Sequence, residues 1–249
     1  MKSLCTALLV IAVLAFAPRM APSQDLDTII EHIDTLFRSK SSHSSLRMEI
    51  VTPDWQRTLE LEMWTEEMDK TLVRIHAPRK EKGVGTLRID TEMWNYLPKT
   101  NKVIKVPPSM MNASWMGSDF TNDDLVNEVS FIHDYSHEFT EVEDAPELIC
   151  IKSYPHEGVP VVWGWVITGV EPGSLLPQWQ RFYEESGEKI RTLTFSEPRT
   201  FGTRTIPTLL TLVPHTKLGN QTSFQYLDVE FDAELPKGIF SLRTLRSGK

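Results

Sequence analysis

Cysteine is almost missing from this chain: two occur in 249 residues, Cys5 and Cys150. Cys5 lies in an apolar N-terminal run, so a mature chain without that run keeps Cys150 alone, and no internal disulfide framework can support the fold. Basic charge is also short, with 26 Lys and Arg against 34 Asp and Glu for a net charge of −8. That balance leaves no electrostatic footprint for nucleic acid. Beyond Ala17 no apolar run approaches the roughly 20 residues of a membrane-spanning helix. The chain has no Gly-x-Ser-x-Gly elbow, Walker loop, Gly-x-Gly-x-x-Gly or Cys-x-x-Cys. The common nucleophile and cofactor signatures are therefore absent, and the reading is a non-enzyme without cofactor or metal.

What is present begins with Leu4 to Ala17, a nearly unbroken apolar stretch behind Lys2 that ends in small residues. It has the shape of a signal peptide. Residues 1–23 are expected to be removed before Gln24, leaving residues 24–249 as one exported domain, periplasmic and without a membrane anchor. Asp25 to Arg38 then carries Leu26, Ile29, Ile30, Ile33, Leu36 and Phe37 at spacings of three and four, which predicts an amphipathic helix. The serine-rich Ser39 to Ser45 reads as a loop.

From Leu46 the period changes to two, and strands are predicted around Leu46–Val51, Leu59–Trp64, Thr71–Ala77, Gly85–Asp90, Met93–Leu97 and Val103–Val106. Pro107-Pro108 stops the ladder. A segment rich in Met, Asn, Asp and Ser follows, with a helical turn expected at Thr121 to Val126. Strands resume at His137–Val142, Leu148–Tyr154, Val161–Thr168, Pro177–Glu184, Lys189–Ser196, Arg204–Pro214 and Ser223–Phe231. About a dozen strands, one N-terminal helix and one interruption, with no Gly/Ser linker, describe a single α+β domain, mainly antiparallel β.

A wide antiparallel sheet with so little to cover it leaves a groove, and grooves of this kind take apolar ligands. The expected groove residues are Leu61, Met63, Val73, Ile75, Trp94, Tyr96, Trp163, Trp165 and Phe224 on strands. Met110, Met111, Trp115, Met116 and Phe120 would form an adaptable cover, since thioethers fit varied shapes. His133 and His137 stand four apart beside carboxylates, but Tyr135 and Ser136 interrupt a helical pattern and no third ligand lies near. A metal-dependent hydrolase built on them is the weakest of the readings.

The string Ser114-Trp115-Met116-Gly117-Ser118-Asp119-Phe120-Thr121-Asn122-Asp123-Asp124-Leu125 is specific. With Trp94-Asn95-Tyr96-Leu97-Pro98, Pro107-Pro108-Ser109-Met110-Met111, Ile206-Pro207-Thr208 and Asp228-Val229-Glu230-Phe231, it resembles the outer membrane lipoprotein-sorting protein family of LolA-like periplasmic proteins. The resemblance implies an unclosed, curved β-barrel with helices over its concave apolar face. It also implies a carrier of an acylated lipoprotein or lipid, working with an inner-membrane transporter of ABC or RND type. The alternative is a non-transporting accessory or sensor module that docks on an envelope exporter or regulator.

Overall fold

The computed structural model describes residues 25–67, 69–126, 130–159 and 161–247. The expected signal peptide, residues 1–23, lies outside the described residues. Thirteen antiparallel strands form one curved sheet that does not close. In chain order they are β1 (Ser41–Val51), β2 (Gln56–Glu66), β3 (Lys70–Ala77), β4 (Gly85–Ile89), β5 (Glu92–Leu97), β6 (Lys102–Lys105) and β7 (Tyr135–Thr140). They continue as β8 (Ile149–Pro155), β9 (Trp165–Val170), β10 (Pro177–Tyr183), β11 (Lys189–Phe201), β12 (Arg204–Pro214) and β13 (Gln221–Phe231). The helices are α1 (Leu26–Thr35), α2 (Asn122–Val126), α3 (Phe131–Asp134) and α4 (Leu242–Ser247).

Spatial order runs β6-β5-β4-β3-β2-β1-β13-β12-β11-β10-β9-β8-β7. Every neighbouring pair is consecutive in sequence except β1 and β13. Both free edges, β6 and β7, therefore come from the middle of the chain, and residues 106–134 connect them. A connection between opposite edges of a curved sheet must cross one of its faces, and this one crosses the inside. Its Trp115, 2% exposed, packs with Leu46, Met48, Ile50, Leu59, Leu61, Val73, Ile75 and Met93. Helix α1 covers the other half of the same face: Ile29 and Ile30 bury against Ile151 and Val170, and Leu36 against Leu176, Ile206 and Val229.

The opposite face of the β2–β6 half is covered too, by the C-terminal segment. Leu72 and Leu87 pack with Ile239 and Leu245 there, and Arg74 donates to the Thr244 carbonyl at 2.8 Å. Gly85 lets the two elements approach closely here, since a Cβ on it would fall 2.8 Å from the Leu245 side chain and displace it.

The strand series agrees with the alternation pattern, with one instructive departure. Ser41–Ser45, expected as loop, is the start of β1 and pairs with β2 and β13. Serine is a weak strand former, but Ser42 and Ser44 point inward in phase with Leu46 and Met48, and the Ser42 and Thr65 hydroxyls bond at 2.7 Å. Two flanking strands and a polar interior override propensity here. Strand β11 also runs past its expected end to Phe201, placing Pro198 opposite Pro207. Helices α3 and α4 were not legible from periodicity, being one or two turns long.

Candidate functional site

The described part of the connection up to residue 126 is a folded unit. Trp115 donates its backbone N–H to Phe120 at 2.8 Å and Asn122 donates to Ala113 at 2.9 Å, a small hairpin with its turn at Met116 and Gly117. Both turn residues have positive φ, 53° and 76°, the region that favours glycine. Arg57 holds this turn through the Met116 carbonyl. Asp119 is held by Thr222 of β13, which donates its hydroxyl at 2.8 Å. Trp115 Nε1 donates to Thr86 at 3.0 Å, and Asn122 donates to the carbonyls of Met110 and Ala113. The distinctive sequence string is thus an anchored plug, held by bonds to Arg57, Thr86 and Thr222 and to its own backbone.

Past the plug, Thr121 and Asp124 cap α2 reciprocally: Thr121 N donates to Asp124 at 2.9 Å and Asp124 N to the Thr121 hydroxyl at 3.0 Å. This is a capping box with aspartate in the acidic position. The same carboxylate reaches across to β11, where Arg191 grips it with two bonds of 2.9 and 3.0 Å. Burial by itself would raise the Asp124 carboxyl, but Arg191 and the two Thr121 donors outweigh it and hold the group below the ordinary carboxylate range. The Arg191 guanidinium also lies over the rings of Phe182 and Trp163, at 4.4 and 4.7 Å.

Around this pair the inner face is not filled. One cavity of about 340 Å³ is lined by rings, those of Phe37, Phe120, Phe131, Tyr135, Trp163 and Phe182, with Leu193, Leu212, Gln180 and the Asp124–Arg191 pair. A second, of about 190 Å³, is lined by Met63, Leu125, Tyr226, Val229 and Phe231 together with the hydroxyls of Ser42, Ser44, Thr65 and Thr71. Phe37, Arg38 and Asp124 border both. The result is a two-lobed groove, aromatic on one side and hydroxyl-bearing on the other, roofed by α1, α2 and α3.

The rim beside α3 is rigidly organised. Trp163 Nε1 donates to the Tyr135 hydroxyl at 2.9 Å, and burial pushes that phenol up to about 12 although the tryptophan bond pulls the other way. His137 Nε2 sits 2.6 Å from the Phe131 carbonyl and Nδ1 sits 2.8 Å from the Ser153 hydroxyl. A carbonyl only accepts, so Nε2 carries the proton and Nδ1 accepts from Ser153. Burial lowers the His137 imidazole's pKa, against opposing pulls from the Phe131 carbonyl and from Asp27 and Asp34. His137 is thereby a satisfied wall residue, and among the described residues no group of three or more His, Cys, Asp or Glu could hold a metal ion.

The expected groove residues divide into three groups. Leu61, Met63, Val73, Ile75, Met111, Trp115, Met116, Phe120 and Phe224 come together in one packed cluster, of which Met63 and Phe120 also line the open lobes. Trp163 lines the aromatic lobe. Trp94, Tyr96, Trp165 and Met110 stand apart: Met93 points inward, so Trp94 and Tyr96 face the C-terminal segment, and Trp165 stacks on Tyr183 behind Val166. Met110 is 52% exposed. Arg191, Asp124, Phe182 and Phe37 escaped sequence reading. The one signal for Arg191 was its parity, a charge in phase with Leu193 and Phe195.

An open antiparallel half-barrel whose inner face is crossed by an N-terminal helix and a central connection defines the LolA class of fold, and solved structures agree. A DUF1329 family protein from Desulfovibrio piger superposes with a TM-score of 0.77 at 19% identity, over 88% of this chain and 97% of that one. A domain described as outer membrane lipoprotein-sorting, from Vibrio parahaemolyticus, gives 0.70 at 20% identity over 83% and 91%. A LolA superfamily protein from Nitrosomonas europaea gives 0.70 at 18% identity over 87% and 97%. No curated protein matches the sequence. Residues 67–247 match the model of a family described as "Uncharacterized protein", and the chain belongs to that family.

Proposed function

We propose that the protein is a periplasmic carrier that takes the apolar part of a lipid or acylated lipoprotein into the two-lobed groove and passes it between envelope membranes or transporters, without covalent chemistry. One observation carries the reading. The inner face keeps about 340 and 190 Å³ of space beside a plug that is otherwise closely packed, and the larger lobe falls within the roughly 300–1,000 Å³ of ligand sites. Each methylene moved from water into such a space contributes about 0.8 kcal/mol, so binding needs only a wall and a roof. The fold shared with a lipoprotein-sorting domain and a LolA superfamily protein supports the same direction.

An inner-membrane transporter of ABC or RND type is the proposed partner. No helix of the described residues is long and apolar enough to cross a membrane, and delivery would then rest on docking. The test is to purify the protein from its native envelope and identify co-purified molecules by mass spectrometry, alongside titration with a fluorescent fatty-acyl probe. Recovery of an amphiphile, or saturable probe binding, supports the carrier. Repeatedly empty protein that ignores the probe overturns it in favour of an accessory or sensor module.

A further inference from the structure

A third and larger space lies outside the groove. It is a cleft of about 560 Å³ between the C-terminal half of α1, the β9–β10 turn and the β11–β12 turn. Its chemistry differs from both lobes: hydroxyls from Thr35, Ser174, Thr203 and Thr205, the His32 imidazole and the Arg204 guanidinium face it, and no carboxylate does. The Nε2 atom of His32, a residue of the cleft lining, is buried with no hydrogen-bond partner. A buried polar atom left without a partner is unusual in a folded protein.

The surrounding bonds occupy two of these hydroxyls, Thr35 donating to the Glu31 carbonyl at 2.7 Å and Thr205 bonding with Thr200 at 2.8 Å, so the donors of the cleft are chiefly Arg204 and Thr203. Ser174 Oγ accepts from Leu176 N at 3.3 Å, and its hydroxyl is engaged by the Glu171 carboxylate. Arg204 donates to the Arg38 carbonyl and lies over the Phe231 ring at 4.8 Å, and forms no ion pair with a described carboxylate. The acid of the adjoining turn, Glu171, is engaged by the Ser174 N–H at 2.5 Å. A guanidinium, an imidazole and the exposed Thr203 hydroxyl, with no carboxylate in the lining, form a receptor for an oxyanion. Phe231, beneath Arg204, is also a wall of the hydroxyl-bearing lobe, so this pair touches both the cleft and the groove.

We infer that this cleft binds the anionic head, a phosphate or carboxylate, of the same amphiphile whose apolar part enters the groove; the inference rests on the carrier reading. The cargo class is then an acidic amphiphile, and Arg204 with His32 selects it over a neutral one of equal chain length.

Calorimetric titration with dihexanoyl phosphatidic acid, dihexanoylglycerol and inorganic phosphate tests this. Phosphatidic acid should bind roughly tenfold or more tightly than the glyceride, as charge-assisted bonds to the head require. Arg204→Gln and Thr203→Glu should each remove that advantage and leave glyceride binding unchanged. Thr203 is exposed at its turn, so T203E tests the cleft even where loss of the Arg204–Phe231 contact unfolds the other variant. Equal binding of the two lipids by the unaltered protein, or an advantage that survives T203E, overturns the head-group site while the carrier reading stands. Phosphate binding without either lipid leaves an anion site and overturns the carrier and the link to an amphiphile. Binding of none of the three overturns both.

Discussion

Asp124 of α2 and Arg191 of β11, 67 residues apart, meet through two parallel bonds across the floor and roof of the aromatic lobe. Their side chains are 15% and 16% exposed, so each depends on the other for compensation in a place with little water. The pair fastens α2 of the central connection to β11, and its Asp124 borders both lobes of the groove.

Removing one partner should therefore cost more than removing both. Asp124→Asn leaves Arg191 buried and unpaired and is expected to lower stability by about 3 kcal/mol, whereas Asp124→Leu with Arg191→Met should recover much of the loss. Urea denaturation of the single and double variants measures this. The carboxyl is held below its ordinary value of 3.8, so its contribution is complete above that pH and disappears as pH falls through the folded value. The acid limb of the stability curve should flatten in the double variant.

Trp115 and Met110, both expected in the cover, should behave oppositely. Trp115 is 2% exposed and fills the inner cluster, so Trp115→Ala is expected to cost about 3–5 kcal/mol. Met110, 52% exposed, should tolerate alanine within about 0.5 kcal/mol. Equal losses in thermal unfolding would refute the assignment of Trp115 as the plug.

Tyr135 should ionise late. Its pKa is pushed up to about 12 by burial, so the stability it lends is complete below pH 10 and is lost as pH rises through 12. Spectroscopic alkaline titration should show a late phenolate component that Tyr135→Phe removes. The same variant deprives Trp163 Nε1 of its acceptor, and its fluorescence should change.

Filling the aromatic lobe should separate binding from folding. Leu193→Trp places extra volume in the lobe and is expected to abolish acyl-probe binding at a stability cost of about 1–3 kcal/mol, small enough for the protein to remain folded by circular dichroism.

Legibility from sequence followed burial. Strand β2 announced itself because one face packs and the other is wet, as in Leu59, Leu61 and Met63 against Glu60 and Glu62. The same alternation misled where both faces are covered: Trp94 and Tyr96 are as large and apolar as inner residues, yet they serve the C-terminal segment. The groove was inferred as a type of surface. Its polar determinants were invisible, since Asp124 looks like any acid in an Asp-rich turn and only the sheet brings Arg191 to it. Ser42 and Ser44 were read as loop for the same reason, a polar wall having no hydrophobic period.

The seam between β1 and β13 has a consequence in time. All other strand pairs join neighbours in sequence, so each meander can form by short loop closures, while Ser45 must wait for Asp228. Ordering contacts of such unequal separation makes the seam the slow, late step of folding. Until it zips, β1 is an unpaired edge open to other chains, and slowed emergence of the last strand should expose it to aggregation or to capture by a chaperone.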